Sequence, residues 1–179
     1  VPAARLSRST KVKVNDDQLW QWLSQVADPE IPVISVVDLG IVRGWQWLDD
    51  ARLEVMITPT YSGCPAMQAI AEDIRSALMQ HGLSEVTITT HLSPAWTTDW
   101  MSESGKQKLR EFGIAPPAQQ AAENKIDISA IFNHDAPVIV CPQCASSHTR
   151  LISQFGSTAC KALYRCSDCL EPFDYFKPH

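Results

Sequence analysis

Apolar positions recur along this chain with two periods, and the changes of period mark its elements. Over residues 15–27, Leu19, Trp22, Leu23 and Val26 fall on one helical stripe, with Asn15 and Gln18 as a capping pair at its start. Asp28-Pro29 ends the pattern, because a residue before proline is pushed out of helical geometry. Asp28-Pro29-Glu30-Ile31-Pro32 is then an extended or turn segment leading through Val33–Leu39 to Gly40. Residues 41–48 read as a strand, Asp49-Asp50 as a turn, and residues 51–57 as a second strand, together a hairpin. In that second strand Leu53, Val55 and Ile57 alternate with Arg52, Glu54 and Met56. Pro65 suits a first helical position, and Met67, Ile70, Ile74, Ala77 and Leu78 form a stripe ending at Gly82. Residues 85–92 alternate again, and residues 102–112 read as a short amphipathic helix closed by Gly113. The order α-β-β-α-β-α predicts an α/β (α+β) domain over residues 15–113.

Beyond it the pattern fades. Residues 114–137 carry Pro116-Pro117, alanines and glutamines and read as a linker, although Ile126, Ile128, Ile131 and Phe132 have the character to pack locally. Residues 138–179 show short strands between cysteine pairs, a small all-β module. Residues 1–14 form a basic arm with Arg5, Arg8, Lys11 and Lys13 and no acid.

Composition narrows the class. A chain of 179 residues suits one domain of common size plus an appendage. With 45% hydrophobic residues and 20% charged, it has the makeup of a folded protein rather than a disordered one. The net charge of −5 argues against a dedicated nucleic-acid binder. No run of apolar residues is long enough for a membrane helix, and the first residues lack the apolar core of a secretory leader. The expected compartment is the cytoplasm, where clustered cysteines are more often metal ligands than disulfides.

Cys141-Pro142-Gln143-Cys144 and Cys166-Ser167-Asp168-Cys169 carry the strongest chemical signal. Each CxxC pair on a tight turn aims two thiolates at one ion, and two turns complete a closed tetrahedral site, zinc first and iron second. So short a module needs such a staple, because it buries too little surface to be stable unaided. His148 and His179 lie near it without being needed as ligands. The module has four basic residues against three acidic ones, and four thiolates on a dication add further negative charge, so phosphate contact is disfavoured.

Two cysteines stand apart. Cys64, in Thr60-Tyr61-Ser62-Gly63-Cys64-Pro65, precedes the expected helix. A helix start lowers a thiol pKa, which makes it either a reactive or metal-binding thiol or an ordinary buried cysteine. One thiolate does not hold an iron–sulfur cluster, so a second chain or a partner would have to complete the ligand set. Cys160 is either a packing residue of a hairpin or a loop thiol whose pKa Lys161 and Arg165 lower. Asp28, Glu30 and Asp38 cluster in sequence, and turn capping accounts for them equally well. Signatures for nucleotide binding, zinc proteolysis or serine hydrolysis are missing, so an enzyme is the least favoured class.

Asp28-Pro29-Glu30-Ile31, then Val37-Asp38-Leu39-Gly40-Ile41-Val42, a strand pair, and Cys64-Pro65 before a helix resemble the SufT-like domain family. These small α/β proteins are linked to iron–sulfur cluster assembly. Residues 155–166 (Phe-Gly-Ser-Thr-Ala-Cys-Lys-Ala-Leu-Tyr-Arg-Cys), 171–177, 93–100 and 113–117 extend the likeness over nearly the whole chain. There it resembles the PaaD family, accessory proteins of the bacterial phenylacetyl-CoA epoxidase system of aerobic phenylacetate degradation. The resemblance implies a maturation role toward an iron–sulfur or di-iron centre, with Cys64 and Cys160 as candidate iron, cluster or reactive thiols. It also implies that Asp28, Glu30 and Asp38 shape the Cys64 pocket and that Cys141, Cys144, Cys166 and Cys169 hold structural zinc. The implied cargo is a transient iron or iron–sulfur cluster, and the implied partners are the epoxidase oxygenase or reductase subunits and a second copy of the chain. The alternative is a non-catalytic subunit docking within the epoxidase complex. The loop Thr58-Pro59-Thr60-Tyr61-Ser62-Gly63-Cys64 is longer and bulkier than in simpler members.

Overall fold

The computed structural model describes residues 14–49, 51–117 and 138–178. The basic arm, most of the expected linker and His179 lie outside them.

Helix α1, Asp16–Leu23, starts as expected: the Asn15 side chain accepts from the Gln18 amide, and the Gln18 side chain accepts from the Asn15 amide. It stops four residues earlier than the apolar stripe implies. The Val36 amide donates to the Val26 carbonyl and Ala27 bridges Ser35, so this backbone pairs sideways instead of continuing the helix. Strands β1, Val42–Trp47, and β2, Arg52–Ile57, form the expected antiparallel hairpin. Helix α2, Met67–Gln80, then carries the chain back so that β3, Glu85–Thr90, lies parallel to β2. In the resulting β1-β2-β3 sheet the inward side of β2 (Leu53, Val55, Ile57) is fully buried, in one core with Ile70, Ile74 and Leu78 of α2 and Leu19 and Leu23 of α1.

The chain after β3 straps back over this core. A 3-10 turn at Thr98–Trp100 leads into α3, Glu103–Glu111, whose start is capped by Ser102. The Trp96 indole donates to the Leu39 carbonyl at 2.9 Å, and the Ser102 amide donates to the Asp38 carbonyl at 2.9 Å. Gly40 permits the close approach: it adopts φ +70, and a Cβ there would run into the Trp100 carbonyl.

A second sheet follows, in the order β4-β7-β6-β5. Its strands are β4, Ile114–Ala115, β5, Thr149–Ser153, β6, Lys161–Cys166, and β7, Pro172–Phe176. Ile114 and Ala115, expected to begin a linker, pair in parallel with Asp174 and Tyr175. One side of the sheet buries Ala115, Ala162, Phe173 and Tyr175 around the cysteines. Its β6–β7 end projects the other way, and Cys160 and Phe176 belong to the core of the first domain. The Phe176 and Trp96 ring centroids are 6.1 Å apart. The ribbon is thereby built into the larger domain. Among the described residues no helix is long and apolar enough to cross a membrane.

Candidate functional site

The four CxxC cysteines converge. Their sulfurs all lie within 4.8 Å of one another, with Cys141–Cys169 at 3.7 Å and Cys144–Cys166 at 3.6 Å. Four sulfurs at ordinary zinc–sulfur bond lengths around a tetrahedral ion stand about 3.8 Å apart, so the donor set fits one thiophilic ion. The two turns are built alike. The Cys141 amide donates to the Ser146 carbonyl at 2.9 Å and the Cys166 amide to the Glu171 carbonyl at 3.0 Å. The residue after each second cysteine takes a left-handed conformation, Ala145 at φ 59 and Leu170 at φ 67. Neither is a glycine, so composition offers no signal for this geometry. Backbone amides of Cys169 and Asp168 point at the Cys166 sulfur and draw its thiol down to about 6, favouring the thiolate a metal needs. His148 is exposed and faces Asp168, with Nδ1 3.2 Å from a carboxylate oxygen, beside the site rather than in it.

A second grouping lies where the ribbon meets the first domain. Asp28, Glu30, Thr60, Cys64, Cys160 and Phe176 line a recess of about 10 Å³, room for one water-sized occupant. Both stand-alone cysteines therefore reach one place from distant parts of the chain. Asp28 is buried, and its Oδ1 accepts the Glu30 and Ile31 amides, each at 2.8 Å. Burial raises the Asp28 carboxyl above its ordinary range despite those two bonds. Burial and the Asp28 charge raise Glu30 as well. Lys161 is 3% exposed, and its ammonium lies 3.5 Å from Asp174. The Lys161 charge opposes both carboxyl shifts.

The two thiols behave differently from what their sequence neighbours suggest. Cys64 does not open a helix: Pro65 and Ala66 form a turn, and α2 begins at Met67. The Ala66 amide and the Tyr61 hydroxyl favour the Cys64 thiolate, but burial, aided by the Glu30 and Asp28 charges, pushes the thiol up. The helix-start argument for a lowered pKa is overturned by this desolvation. Burial also raises Cys160, overriding Thr158 and Lys161, and Arg165 is exposed on the ribbon. Tyr61 is pushed up to about 12 by burial together with the Cys64 and Glu30 charges.

Asp38 does not line the recess. Its Oδ2 accepts from the Lys108 ammonium at 2.6 Å and the Ser35 hydroxyl at 3.0 Å, and its Oδ1 accepts from the Ser102 hydroxyl at 2.7 Å. Burial alone would raise it, yet these donors hold it below the usual carboxylate range. Asp38 therefore fastens α3 to the Asp38–Gly40 turn. Sequence reasoning missed Tyr61 as a partner of Cys64, Phe176 as a wall of the recess, and Lys161 as the charge acting on its two acids. Tyr61 is legible from proximity alone; Lys161 and Phe176 arrive only when the ribbon folds back.

Comparison with known proteins agrees with this two-part organisation. Residues 16–89 match a family described as iron–sulfur cluster assembly protein, and residues 129–177 match the PaaD zinc beta ribbon domain. A protein of Escherichia coli (strain K12), provisionally named as a subunit of 1,2-phenylacetyl-CoA epoxidase, is 49% identical over 160 residues, covering 89% of this chain and 91% of its own length. A protein of Porphyromonas gingivalis named Fe-S protein maturation auxiliary factor is 35% identical over 95 residues, covering 52% of this chain and 90% of its own. Among solved structures, a domain of unknown function (DUF59) from Bacillus anthracis is 26% identical, covering 52% of this chain and 90% of its own, with a TM-score of 0.49.

Proposed function

The chain belongs to the PaaD family, and from that premise we propose that it is an accessory protein of the phenylacetyl-CoA epoxidase system that assists assembly of an iron–sulfur or di-iron centre. Its cargo is iron or a small cluster held transiently at Cys64 and passed to an oxygenase or reductase subunit. The observation that supports this reading best is the meeting of Cys64, Cys160, Asp28 and Glu30 in one recess. Thiols and carboxyls lining one recess offer both soft and hard donors, and an ion there would have to draw them closer together than the tightly gathered ribbon cysteines need. Asp28 also caps the turn through the Glu30 and Ile31 amides, and Glu30 stands half-buried beside it.

The recess is small, so a cluster requires the recess to open or a second copy of the chain to share it. Cys141, Cys144, Cys166 and Cys169 are the ligands of a structural zinc, which supplies folding free energy to the ribbon. The test is anaerobic reconstitution with ferrous iron and sulfide on the wild type and on Cys64→Ala. Cysteine-dependent charge-transfer absorption, lost in the variant, is expected. Identical spectra in the two proteins refute cargo at Cys64.

One observation favours a second reading, a docking subunit. The outer strand β5 exposes Leu151 and Ile152, with Phe155 and Leu170 also exposed on the ribbon. Co-purification with oxygenase subunits that survives Cys64→Ala but fails on Leu151→Asp/Ile152→Asp would favour docking over cargo.

A further inference from the structure

The wall of the Cys64 recess and the four-cysteine site are opposite ends of one β ladder. Strand β6 begins at Lys161 beside the recess and ends at Cys166, a metal-ligand candidate. It pairs with β7 in the register Lys161↔Phe176, Leu163↔Asp174 and Arg165↔Pro172. The pair at the near end, Lys161 and Phe176, is buried, and the Lys177 amide extends the ladder by donating to the Cys160 carbonyl at 3.0 Å. At the far end the Cys166 amide bonds to the Glu171 carbonyl, and Cys169 lies three residues after Cys166. Five residue steps of strand span about 17 Å, so the two sites share one stiff lever.

The near end has its own fastenings. Asp174 accepts from the Ser157 hydroxyl at 2.7 Å and faces the Lys161 ammonium. Gly156 keeps that arrangement possible, because a Cβ there would strike Asp174 Oδ1. Phe176 is 1% exposed and packs in the first domain's core beside Trp96. Thus two recess residues, Cys160 and Phe176, come from a module whose separate core is small, the kind of module that a bound metal helps to order.

We infer that metal occupancy of the ribbon controls access to Cys64: the metal-held β6–β7 ladder closes the recess with Cys160 and Phe176, and loss of the metal uncovers the Cys64 thiol. This regulation rests on the proposed role of Cys64, and its readout is independent of iron uptake. An apo ribbon would leave Cys64 open to capture by other electrophiles or metals, and a metal-loaded ribbon would keep it protected until a client displaces the wall.

The test uses the full chain purified with its metal. Free thiols are alkylated with N-ethylmaleimide over time, and the tryptic peptide of residues 53–75, in which Cys64 is the only cysteine, is quantified by mass spectrometry. One sample is native, one is stripped with a chelator and checked by metal analysis, and one is stripped and reloaded with zinc. Hydrogen exchange at Leu53–Ile57 of β2 monitors the first domain. Stripping should speed Cys64 labelling at least about tenfold while β2 stays protected, and reloading should restore the slow rate.

Phe176→Ala, which trims the wall and leaves all four ligands in place, should speed labelling with the metal still bound. Metal loss with a Cys64 rate within about twofold of native overturns the inference. If stripping also unprotects β2, Phe176→Ala decides: no rise in labelling with metal bound and β2 protected overturns it. Iron reconstitution that fails while labelling responds to the metal would sink the cargo reading and leave this coupling standing.

Discussion

Asp28 makes an unusual demand on the fold, and removing its charge should make the protein more stable. Its side chain is buried, and burial raises its carboxyl above the ordinary value of 3.8, even with two amide donors and the Lys161 charge opposing the shift. Asp28→Asn keeps an oxygen for the Glu30 and Ile31 amides and removes the desolvated charge. The shift is upward, so the folded state disfavours the ionised carboxyl and the neutral amide variant should be the more stable protein at pH 7. In a chain of this length each kcal/mol of that gain raises Tm by roughly 2–4 °C. The sign with pH follows from the raised folded value. Below 3.8 both states are protonated and the variant has no advantage. As pH rises through the folded pKa the wild type pays for an ionised buried acid, so the gap opens and then levels off. Urea unfolding of both proteins from pH 3.5 to 7.5 measures the gap, and loss of ribbon metal in acid is common to both. A variant less stable than wild type at pH 7, or a gap independent of pH, would refute the reasoning. If the reading of the recess holds, the same substitution lowers iron uptake at Cys64 while raising stability.

Three further outcomes follow from the same contacts. Lys161→Met leaves Asp174 and the recess acids without their buried counter-charge; a loss of about 3 kcal/mol is expected in urea unfolding, and a loss under about 1 kcal/mol would mean the ammonium is not the counter-ion. Cys169→Ser removes one of four converging sulfurs, so bound metal should fall well below one equivalent per chain by elemental analysis, and near-full occupancy would show that the four do not act as one site. Asp38→Ala unfastens Lys108 and Ser102 from the Asp38–Gly40 turn, and should cost about 1–3 kcal/mol. Because Asp38 is held below its ordinary range, that contribution is present above 3.8 and is lost as pH falls through the lowered folded value. A deficit in the variant that persists undiminished at pH 2 would contradict it.

The elements whose burial depends on local period were readable. The β1–β2 hairpin, the α2 stripe and the capping box at Asn15 all lie where alternation or capping residues put them, because strand and helix periods decide which side chains share a face. Readings that depend on what lies above a residue failed. A turn at Pro65 and Ala66 and the closing of the recess reverse the thiol shift expected for Cys64, and desolvation is set by neighbours remote in sequence. Asp38, three residues after Ser35 and sixty-four before Ser102, turns from a candidate pocket acid into a fastening once α3 folds back.

By itself the sequence determined the two-part plan and the four-cysteine set, since period and CxxC spacing are local properties that dictate turns and faces whatever else the chain does. Only the tertiary structure decided that Cys64 and Cys160 face one recess, that the buried Lys161 charge acts on Asp28 and Glu30, and that the metal site and the recess are ends of one ladder. Those relations join residues about a hundred positions apart. They exist because the ribbon's apolar end, Cys160 and Phe176, completes the core of the first domain.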